Sequence, residues 1–177
     1  MRIKKLLIFI LFISIVESSF AQLLTDEEKK LYDLVMNYRK SKGLDKIPLS
    51  PSLTMVAQLH VKDLMENNPV NDDCNLHSWS FNGEWTGCCY TSDHAQADCM
   101  WSKPQELTSY KGSGFEIAHW SSESVNAEGA LRGWKSSPGH NAVILNQGVW
   151  NTKWNAIGIA ILGNYSLIWF GNELDNN

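Results

Sequence analysis

The stretch WNAIGIAIL-GN-YSLIWFG, residues 154–171, decides the fold class of this 177-residue chain. Two apolar runs flank the dipeptide GN, and a two-residue turn of this composition joins the strands of a tight β-hairpin. Ile157, Ile159 and Ile161 point to one side of the first strand, and the residues between them are apolar as well. A strand that is apolar on both faces is covered on both. The hairpin therefore predicts a central antiparallel sheet with helices on each side, an α/β fold arranged as a three-layer α/β/α sandwich.

Three segments upstream of the hairpin predict the helices. The first runs from Thr25, which opens a Thr-x-x-Glu capping box, to Gly43, a helix terminator. The second covers residues 50–67 and has proline in its first helical position. The third covers residues 124–137, where apolar residues recur at helical spacing. His140 therefore lies just past a helix end, after the sequence Ser-Ser-Pro-Gly.

The N-terminus has the pattern of a secretory signal peptide. Basic residues precede an apolar run from Leu6 to Val16, and small residues follow up to Ala21. This run is too short to span a membrane, which takes about 20 residues. We assign residues 1–21 to a cleaved signal peptide. Residues 22–177 then form one secreted domain, extracellular or periplasmic, without a transmembrane segment.

The predicted mature domain is acidic. It carries 12 Lys and Arg residues against 18 Asp and Glu residues, a net charge of −6. This balance favours neither nucleic acid nor anionic lipid as a partner. We expect a monomer that binds a small molecule, lipid or glycan.

Four cysteines, Cys74, Cys88, Cys89 and Cys99, lie close together in a chain predicted to enter an oxidising compartment. This usage predicts two disulfides. Adjacent cysteines rarely bond to each other, so Cys88 and Cys89 each pair with one of the other two, in an order that the sequence leaves open. The rival interpretation is a metal knuckle that adds His94, but the spacing matches no zinc template.

The cysteines lie in a long segment, residues 68–113, that is rich in Asn, Asp, Gly, Ser and Trp and has no sustained period. We expect a long loop tied by the disulfides, which offset the entropy of ordering it. Trp79, Trp85 and Trp101 lie in this loop. They either stack on a glycan or apolar ligand or pack around the disulfides, and the sequence leaves both interpretations open.

His60 lies on the apolar stripe of the second predicted helix, beside Ala57, Val61 and Leu64. A histidine in this position is a conceivable ligand for a metal. The ordinary interpretation is a hydrogen-bonded core residue, because buried polar groups are as a rule simply satisfied. We adopt the second interpretation.

Three motifs resemble one family. NYRKSKGLDKIPLSPSLTMVAQLHVKDL, residues 37–64, is similar to the first two helices of the CAP superfamily of cysteine-rich secretory proteins, antigen 5 and pathogenesis-related 1, also called the SCP domain. NLHSWS, residues 75–80, resembles the His-Ser segment of that family. ALRGWKSSPGHNAVIL, residues 130–145, resembles the bacterial form of its Trp-to-Gly-His motif. The resemblance covers nearly all of residues 22–177 and implies an α/β/α sandwich.

The resemblance also implies a cleft floored by two histidines, His77 and His140, and usually by two glutamates. The cleft has been associated with divalent metals in some members. Neutral imidazoles bind Zn²⁺, but tight sites usually have three protein ligands. We therefore expect His77 and His140 to bind Zn²⁺ or another divalent metal weakly, with water completing the coordination. Alternatively, the two histidines only brace the loops by hydrogen bonding.

The chain departs from the family pattern at both glutamates. The family sequence Gly-Glu-Asn-Ile-Ala appears here as GFEIA, residues 114–118, so an ungapped match places Phe115 where the glutamate belongs. Glu116 then points to the opposite face of a strand, unless a local bulge turns it into the cleft. The second glutamate is replaced by Ser137. Bacterial members commonly lack that residue as well.

These features indicate a secreted ligand-binding domain with a cleft built from His77, His140 and, if the strand bulges, Glu116. A metal-dependent hydrolase is the alternative, since a bound metal acidifies water and a carboxylate can take the proton. The chain contains no His-Glu-x-x-His or Gly-x-Ser-x-Gly motif. No catalytic residue is therefore assigned. A glycan- or lipid-binding module that uses the loop tryptophans is the third interpretation.

Overall fold

The computed structural model describes residues 24–176. Its helices are α1 (Asp26–Ser41), α2 (Pro51–Asn67), α3 (Ala97–Trp101), α4 (Lys103–Leu107), α5 (Ala127–Ser136) and α6 (Pro138–Ile144). Its strands are β1 (Gly114–Trp120), β2 (Ala156–Leu162) and β3 (Tyr165–Gly171), and a 3₁₀ turn covers Gly148–Trp150. The predicted signal peptide lies outside the described residues. No helix within the described range is long and apolar enough to cross a membrane.

The first two helices begin as their capping residues predict. The Thr25 hydroxyl accepts a hydrogen bond from the Glu28 N–H at 3.2 Å, and the Glu28 carboxylate accepts one from the Thr25 N–H at 2.7 Å. At α2 the Ser50 hydroxyl accepts from the Leu53 N–H at 3.0 Å, and proline occupies the first helical position. These contacts satisfy N–H groups that a helix start leaves without partners.

The three strands form one antiparallel sheet in the order β1-β3-β2. The predicted hairpin is confirmed, because β2 and β3 pair along their full length around Gly163, which adopts φ +54°. Strand β1 pairs with β3 in unbroken register from Gly114↔Gly171 to Trp120↔Tyr165. It therefore contains no bulge, and within the described part of the chain it lies at an edge of the sheet.

Helices cover both faces of the sheet, as the apolar character of β2 predicts. Helices α1, α5 and α6 pack on one face, where they bury Ile117, Ile157, Ile159, Ile168 and Phe170. Helix α2 packs on the other, where Ala118, Ala156, Ala160, Leu167 and Trp169 are buried. The α/β class, the antiparallel sheet and the disulfide-tied loop are confirmed.

Two disulfides tie residues 68–113, and the structure supplies the pairing that the sequence left open. Cys74 bonds to Cys89 and Cys88 to Cys99, with Cα–Cα distances of 4.9 and 6.0 Å. Within the described residues no cysteine is free. The segment also contains α3 and α4, which the sequence did not predict, because a five-residue helix is too short to show a helical period.

His140 lies in a different local structure from the one expected. Pro138 does not simply stop the chain after α5 but occupies the first position of α6, where its missing N–H costs no hydrogen bond. His140 is the third residue of this short helix. Its ring is therefore carried by the first turn of a helix and not by an irregular corner.

Helix α2 lies very close to the sheet at Gly158 of β2. A Cβ atom there would lie 2.0 Å from the carbonyl carbon of Leu53 in the helix backbone. We predict that Gly158→Ala lowers the free energy of unfolding by about 1–3 kcal/mol or more, as in other overpacked cores. The backbone of α2 cannot rotate away as a side chain can. Urea denaturation with circular dichroism measures the change.

Gly139→Ala is the matched control, because a Cβ atom there has no neighbour within 4 Å. It lies in α6, where alanine favours the helix by up to about 1 kcal/mol over glycine. Equal stability of the Gly158→Ala variant and the wild-type protein would contradict the close contact between α2 and β2.

Candidate functional site

A cleft of about 740 Å³ runs along the outer edge of β1, and we call it the histidine cleft. Consecutive residues of β1, Phe115, Glu116 and Ile117, all line it. Successive side chains of a strand point to opposite faces, so the cleft reaches around the open edge of the sheet. Its polar end is lined by His77, Tyr90, His94, Glu116 and His140, and its apolar wall by Met100, Trp101, Phe115, Val143, Trp150 and Trp154.

Glu116 joins three parts of the fold at the polar end. Its carboxylate lies 2.5 Å from Nδ1 of His60 in α2 and 2.7 Å from Nδ1 of His77 in the long loop. The strand has no bulge that would turn Glu116 to the other face, and Glu116 points to the face covered by α2. It reaches His77 because the loop folds over that same face. Glu116 is therefore hydrogen-bonded to the ring of His77, a residue that lines the cleft.

The Glu116 carboxyl group is ionised although it is fully buried. Burial by itself would raise its pKa, but the charge and N–H groups of His60 and His77 outweigh burial and lower the pKa to about 2. The carboxylate therefore accepts hydrogen bonds from both rings. Such a buried charge is tolerated only when it is paired and hydrogen-bonded.

Both ring nitrogens of His60 have hydrogen-bond partners. Its Nε2 lies 2.9 Å from the carbonyl oxygen of Ser78, which can only accept, and its Nδ1 faces the Glu116 carboxylate. The ring is 0% exposed and stacks on Trp79 with a centroid separation of 4.3 Å. His60 is thus a hydrogen-bonded core residue, as interpreted from the sequence, and also a direct partner of the Glu116 carboxylate.

His77 is held in one orientation at the cleft. Its side chain is 19% exposed, its Nδ1 binds Glu116, and its ring packs edge-on against Tyr90. Burial, followed by the charge of Glu116, raises the pKa of Tyr90, which stays protonated and contacts Nδ1 of His94 at 2.9 Å. Within the described residues, Nε2 of His77 has no hydrogen-bond partner. The partly exposed ring lines the cleft.

The structure places His140 on the same cleft as His77. Burial lowers the pKa of His140, and the charges of His77 and His119 lower it further, so the ring is neutral at neutral pH. The ring has no hydrogen-bond partner among residues 24–176. His77 and His140 thus offer two imidazoles to one space. Metal binding there stays a prediction, since no group of three His, Cys, Asp or Glu residues in the described chain is arranged to hold an ion.

Phe115 forms the centre of the apolar wall. Its ring lies 5.5 Å from Trp101, 5.4 Å from Trp150 and 5.5 Å from Trp154, measured between centroids. Trp101 and Trp150 are partly exposed, whereas Trp154 is buried. This part of the cleft is therefore aromatic.

The loop tryptophans divide between the two interpretations left open by the sequence. Trp79 is a core residue under α2, and Trp85 packs against it with a centroid separation of 5.2 Å. Trp101 lines the cleft. Trp150 also lines the cleft. The sequence does not predict this, because Trp150 follows α6 by several residues and belongs to no periodic pattern.

A family model described as the cysteine-rich secretory protein family, CAP, matches residues 32–166. This range contains both disulfides, strand β1 and every residue that lines the cleft except Asn172. The chain belongs to the CAP family. Comparison with curated protein sequences finds no match.

Solved structures share the fold at low sequence identity. An outer surface protein of Borrelia burgdorferi has a TM-score of 0.58 and 17% identity, with 84% of this chain and 94% of that chain covered. An extracellular protein containing an SCP domain from Bacillus anthracis has a TM-score of 0.56 and 16% identity, with coverage of 83% and 40%. A cysteine-rich secretory protein from Staphylococcus aureus has a TM-score of 0.54 and 17% identity, with coverage of 84% and 39%. These neighbours are bacterial proteins, and at this sequence identity the likeness shows a shared fold.

Replacement of Glu116 tests the buried ion pair of this CAP domain. We predict that Glu116→Gln lowers the free energy of unfolding at pH 7 by about 3–5 kcal/mol, because His60 loses its buried counter-charge. The difference in free energy of unfolding between wild type and variant should be largest above about pH 4.5, the ordinary pKa of glutamate. It should shrink as the pH approaches 2, because the Glu116 carboxylate of the folded protein then gains a proton. Urea titrations of both proteins from pH 7 to pH 2 measure the difference.

Glu128→Gln is the control for this experiment. Glu128 pairs with Lys30 at 2.8 Å on the surface, where ion pairs contribute little. Its loss should leave the unfolding transition almost unchanged. A difference between wild type and Glu116→Gln that stays constant from pH 5 to pH 2 would show that Glu116 is not ionised by its two histidines.

Proposed function

We propose that this CAP domain is a secreted binding protein whose histidine cleft takes a small, mainly apolar ligand. The observation that carries the proposal is the aromatic wall around Phe115, which continues into a polar end formed by His77 and His140. A cleft of about 740 Å³ is within the usual range for small-molecule sites, about 300–1,000 Å³. Apolar walls with a few converging polar groups are typical of such sites.

The cleft suits an apolar ligand better than a glycan. Each sugar hydroxyl that becomes buried needs a hydrogen-bond partner. Several polar groups at this cleft are already used: Glu116 binds two histidines, the Tyr90 hydroxyl contacts His94, and the Asn172 amide donates to the carbonyl of Lys153. Burial of aromatic and aliphatic surface contributes about 25 cal/mol per Å². We therefore favour a lipid-like or aromatic molecule.

Binding is also better supported than catalysis. A hydrolytic metal centre normally has three protein ligands, and the described residues supply His77 and His140 only. The carboxylate of Glu116 accepts from two rings and is not free to take a proton from water. All four cysteines are in disulfides and cannot act as nucleophiles. The metal-dependent hydrolase is therefore the weaker candidate.

We also propose that the domain is secreted. The chain contains two disulfides. Disulfides form and persist in oxidising compartments such as the cell exterior and the periplasm. The basic and apolar pattern of residues 1–21 supports export. We propose that residues 22–177 act outside the cytoplasm as a monomeric domain.

A neutral fluorescent dye tests the apolar cleft. N-Phenyl-1-naphthylamine should brighten on binding to the purified domain at a single site. Trp150→Ala removes a partly exposed ring that contacts Phe115, and we predict that it weakens binding by about tenfold, the usual scale for a lost aromatic contact of 1–2 kcal/mol. Fluorescence titration measures both dissociation constants.

Trp120→Ala is the matched control, because Trp120 is 52% exposed and does not line the cleft. It should bind the dye as tightly as the wild-type protein does. Thermal unfolding of both variants verifies that they are folded. Equal losses in the two variants, or no dye binding to the wild-type domain, would contradict the proposed function.

A divalent metal is the second candidate occupant. The pair formed by Glu116 and His77 has the arrangement of a carboxylate that orients a metal-binding imidazole, with Nε2 directed to the open space. His140 is neutral at neutral pH and so is able to coordinate. A bound ion would polarise a ligand atom or water beside these rings.

Calorimetric titration with Zn²⁺ at pH 7.5 tests this candidate. We predict one weak site, well below the about 10–16 kcal/mol of structural zinc sites, because only two protein ligands are present. His77→Ala and His140→Ala should each abolish the binding heat. His119→Gln should preserve it, since His119 does not line the cleft. Unchanged Zn²⁺ binding in the His77→Ala variant would exclude the histidine cleft as the metal site.

A further inference from the structure

Arg39, in the last turn of α1, is a buried charge outside the histidine cleft. The residue is 3% exposed and is not part of the cleft lining. Its guanidinium donates hydrogen bonds to the backbone carbonyls of Asp45 and Ile144 and, at 2.7 Å, to the side-chain oxygen of Asn146. A charge is tolerated in the interior only where hydrogen bonds compensate for the water that it loses. The guanidinium therefore holds these oxygens in fixed positions around it.

Asn146 connects Arg39 to the segment that follows α6. Because an arginine can only donate, the oxygen of the Asn146 amide faces Arg39 and the amide nitrogen points the other way. That nitrogen donates to the backbone carbonyls of Thr152 at 2.5 Å and Trp150 at 3.3 Å. The backbone of Asn146 is left-handed, with φ +52°, a conformation that asparagine adopts more readily than most residues. One side chain thus closes residues 146–152 into a loop.

This loop carries one wall of the cleft. Val149, Trp150 and Thr152 all line the cleft, and the Trp150 ring lies 5.4 Å from the Phe115 ring, measured between centroids. The loop contains a single 3₁₀ turn, and Val149 within that turn is 87% exposed. A turn with so little buried side-chain surface depends on its hydrogen bonds for order. The amide of Asn146 supplies two of them from outside the cleft.

We infer that Asn146, anchored by Arg39, is a positioning residue for the histidine cleft. The two residues hold the 3₁₀ turn so that Trp150 lies against Phe115 before a ligand arrives. A ligand that meets an ordered wall does not spend binding free energy on ordering it, and its affinity is higher for that reason. This inference rests on the proposed function, because it assigns to these residues an effect on ligand binding.

The variant Asn146→Asp tests the inference at a single atom. It keeps the oxygen that accepts from Arg39 and replaces the donor nitrogen by a second oxygen, which repels the carbonyls of Thr152 and Trp150. We expect the dissociation constant of N-phenyl-1-naphthylamine to rise about threefold to tenfold, the scale of ordering one side chain on binding. Fluorescence titration at pH 7.5 measures the constant, and thermal unfolding verifies that the variant is folded.

Gln147→Glu is the matched control. It makes the same change from amide to carboxylate at the next residue, whose side chain is exposed and does not line the cleft. It should bind the dye as tightly as the wild-type protein does. An equal loss of affinity in Gln147→Glu and Asn146→Asp would show an effect of added negative charge and would overturn the inference.

Two further variants separate the side chain of Asn146 from its backbone and from its anchor. Asn146→Gly keeps the left-handed conformation, which glycine adopts without strain, and should weaken dye binding as Asn146→Asp does. Arg39→Lys keeps the charge but replaces the fork that reaches two acceptors by a point charge, and should weaken binding as well. Unchanged affinity in Arg39→Lys would overturn the part of the inference that assigns the anchor to Arg39.

Backbone ¹⁵N relaxation provides a measurement on the wild-type protein that does not depend on the folding of a variant. Without ligand, residues 148–150 should have order parameters of about 0.85, the value of rigid backbone. Values below about 0.6, which indicate a flexible segment, would overturn the inference. In Asn146→Asp the order parameters of residues 148–150 should fall while those of α5 stay the same, which a general loss of stability would not produce.

The dye titration distinguishes failure of the inference from failure of the proposed function. Equal dissociation constants for the wild-type protein and Asn146→Asp would overturn the inference and leave the apolar cleft in place. No dye binding to the wild-type protein would overturn the proposed function and, with it, the inference.

Discussion

The carboxylate of Glu116 is the group on which the arrangement of the site depends. It is buried and charged, and it accepts a hydrogen bond from His60 in α2 and another from His77 in the long loop. A buried charge without these partners would cost several kcal/mol. The helix, the edge strand and the loop must therefore meet at this point for the protein to fold. The same requirement holds the His77 ring in a single orientation.

The open edge of β1 explains why a cleft forms there. Interior strands of a sheet are flanked by other strands, whereas β1 pairs with β3 on one side only within the described residues. The loop tied by Cys74–Cys89 and Cys88–Cys99 covers part of that edge, and α6 with the 3₁₀ turn after it approaches from the other side. Irregular segments can hold a ligand in a defined shape when a rigid sheet and covalent ties position them.

The residues of the edge strand shape the chemistry of the cleft. Phe115 is the centre of an aromatic wall. The carboxylate of Glu116 accepts a hydrogen bond from the ring of His77. The lining thus combines imidazole groups with aromatic rings. This composition is the basis on which we propose binding of a largely apolar molecule rather than metal-dependent hydrolysis.

The sequence by itself determined the features that depend on neighbouring residues. The capping box at Thr25, the proline that opens α2 and the Gly163-Asn164 turn are local in their chemistry, so a short window of sequence predicted α1, α2 and the hairpin. Only the tertiary structure decided the disulfide pairing, the contact between His60 and Glu116 and the presence of Trp150 in the cleft. His60 and Glu116 are 56 residues apart, and neither periodicity nor spacing records which distant side chain will meet a buried polar group. Such contacts form only when a helix and a strand pack against each other. Packing removes both polar groups from water at the same time, so each must take the other as its hydrogen-bond partner.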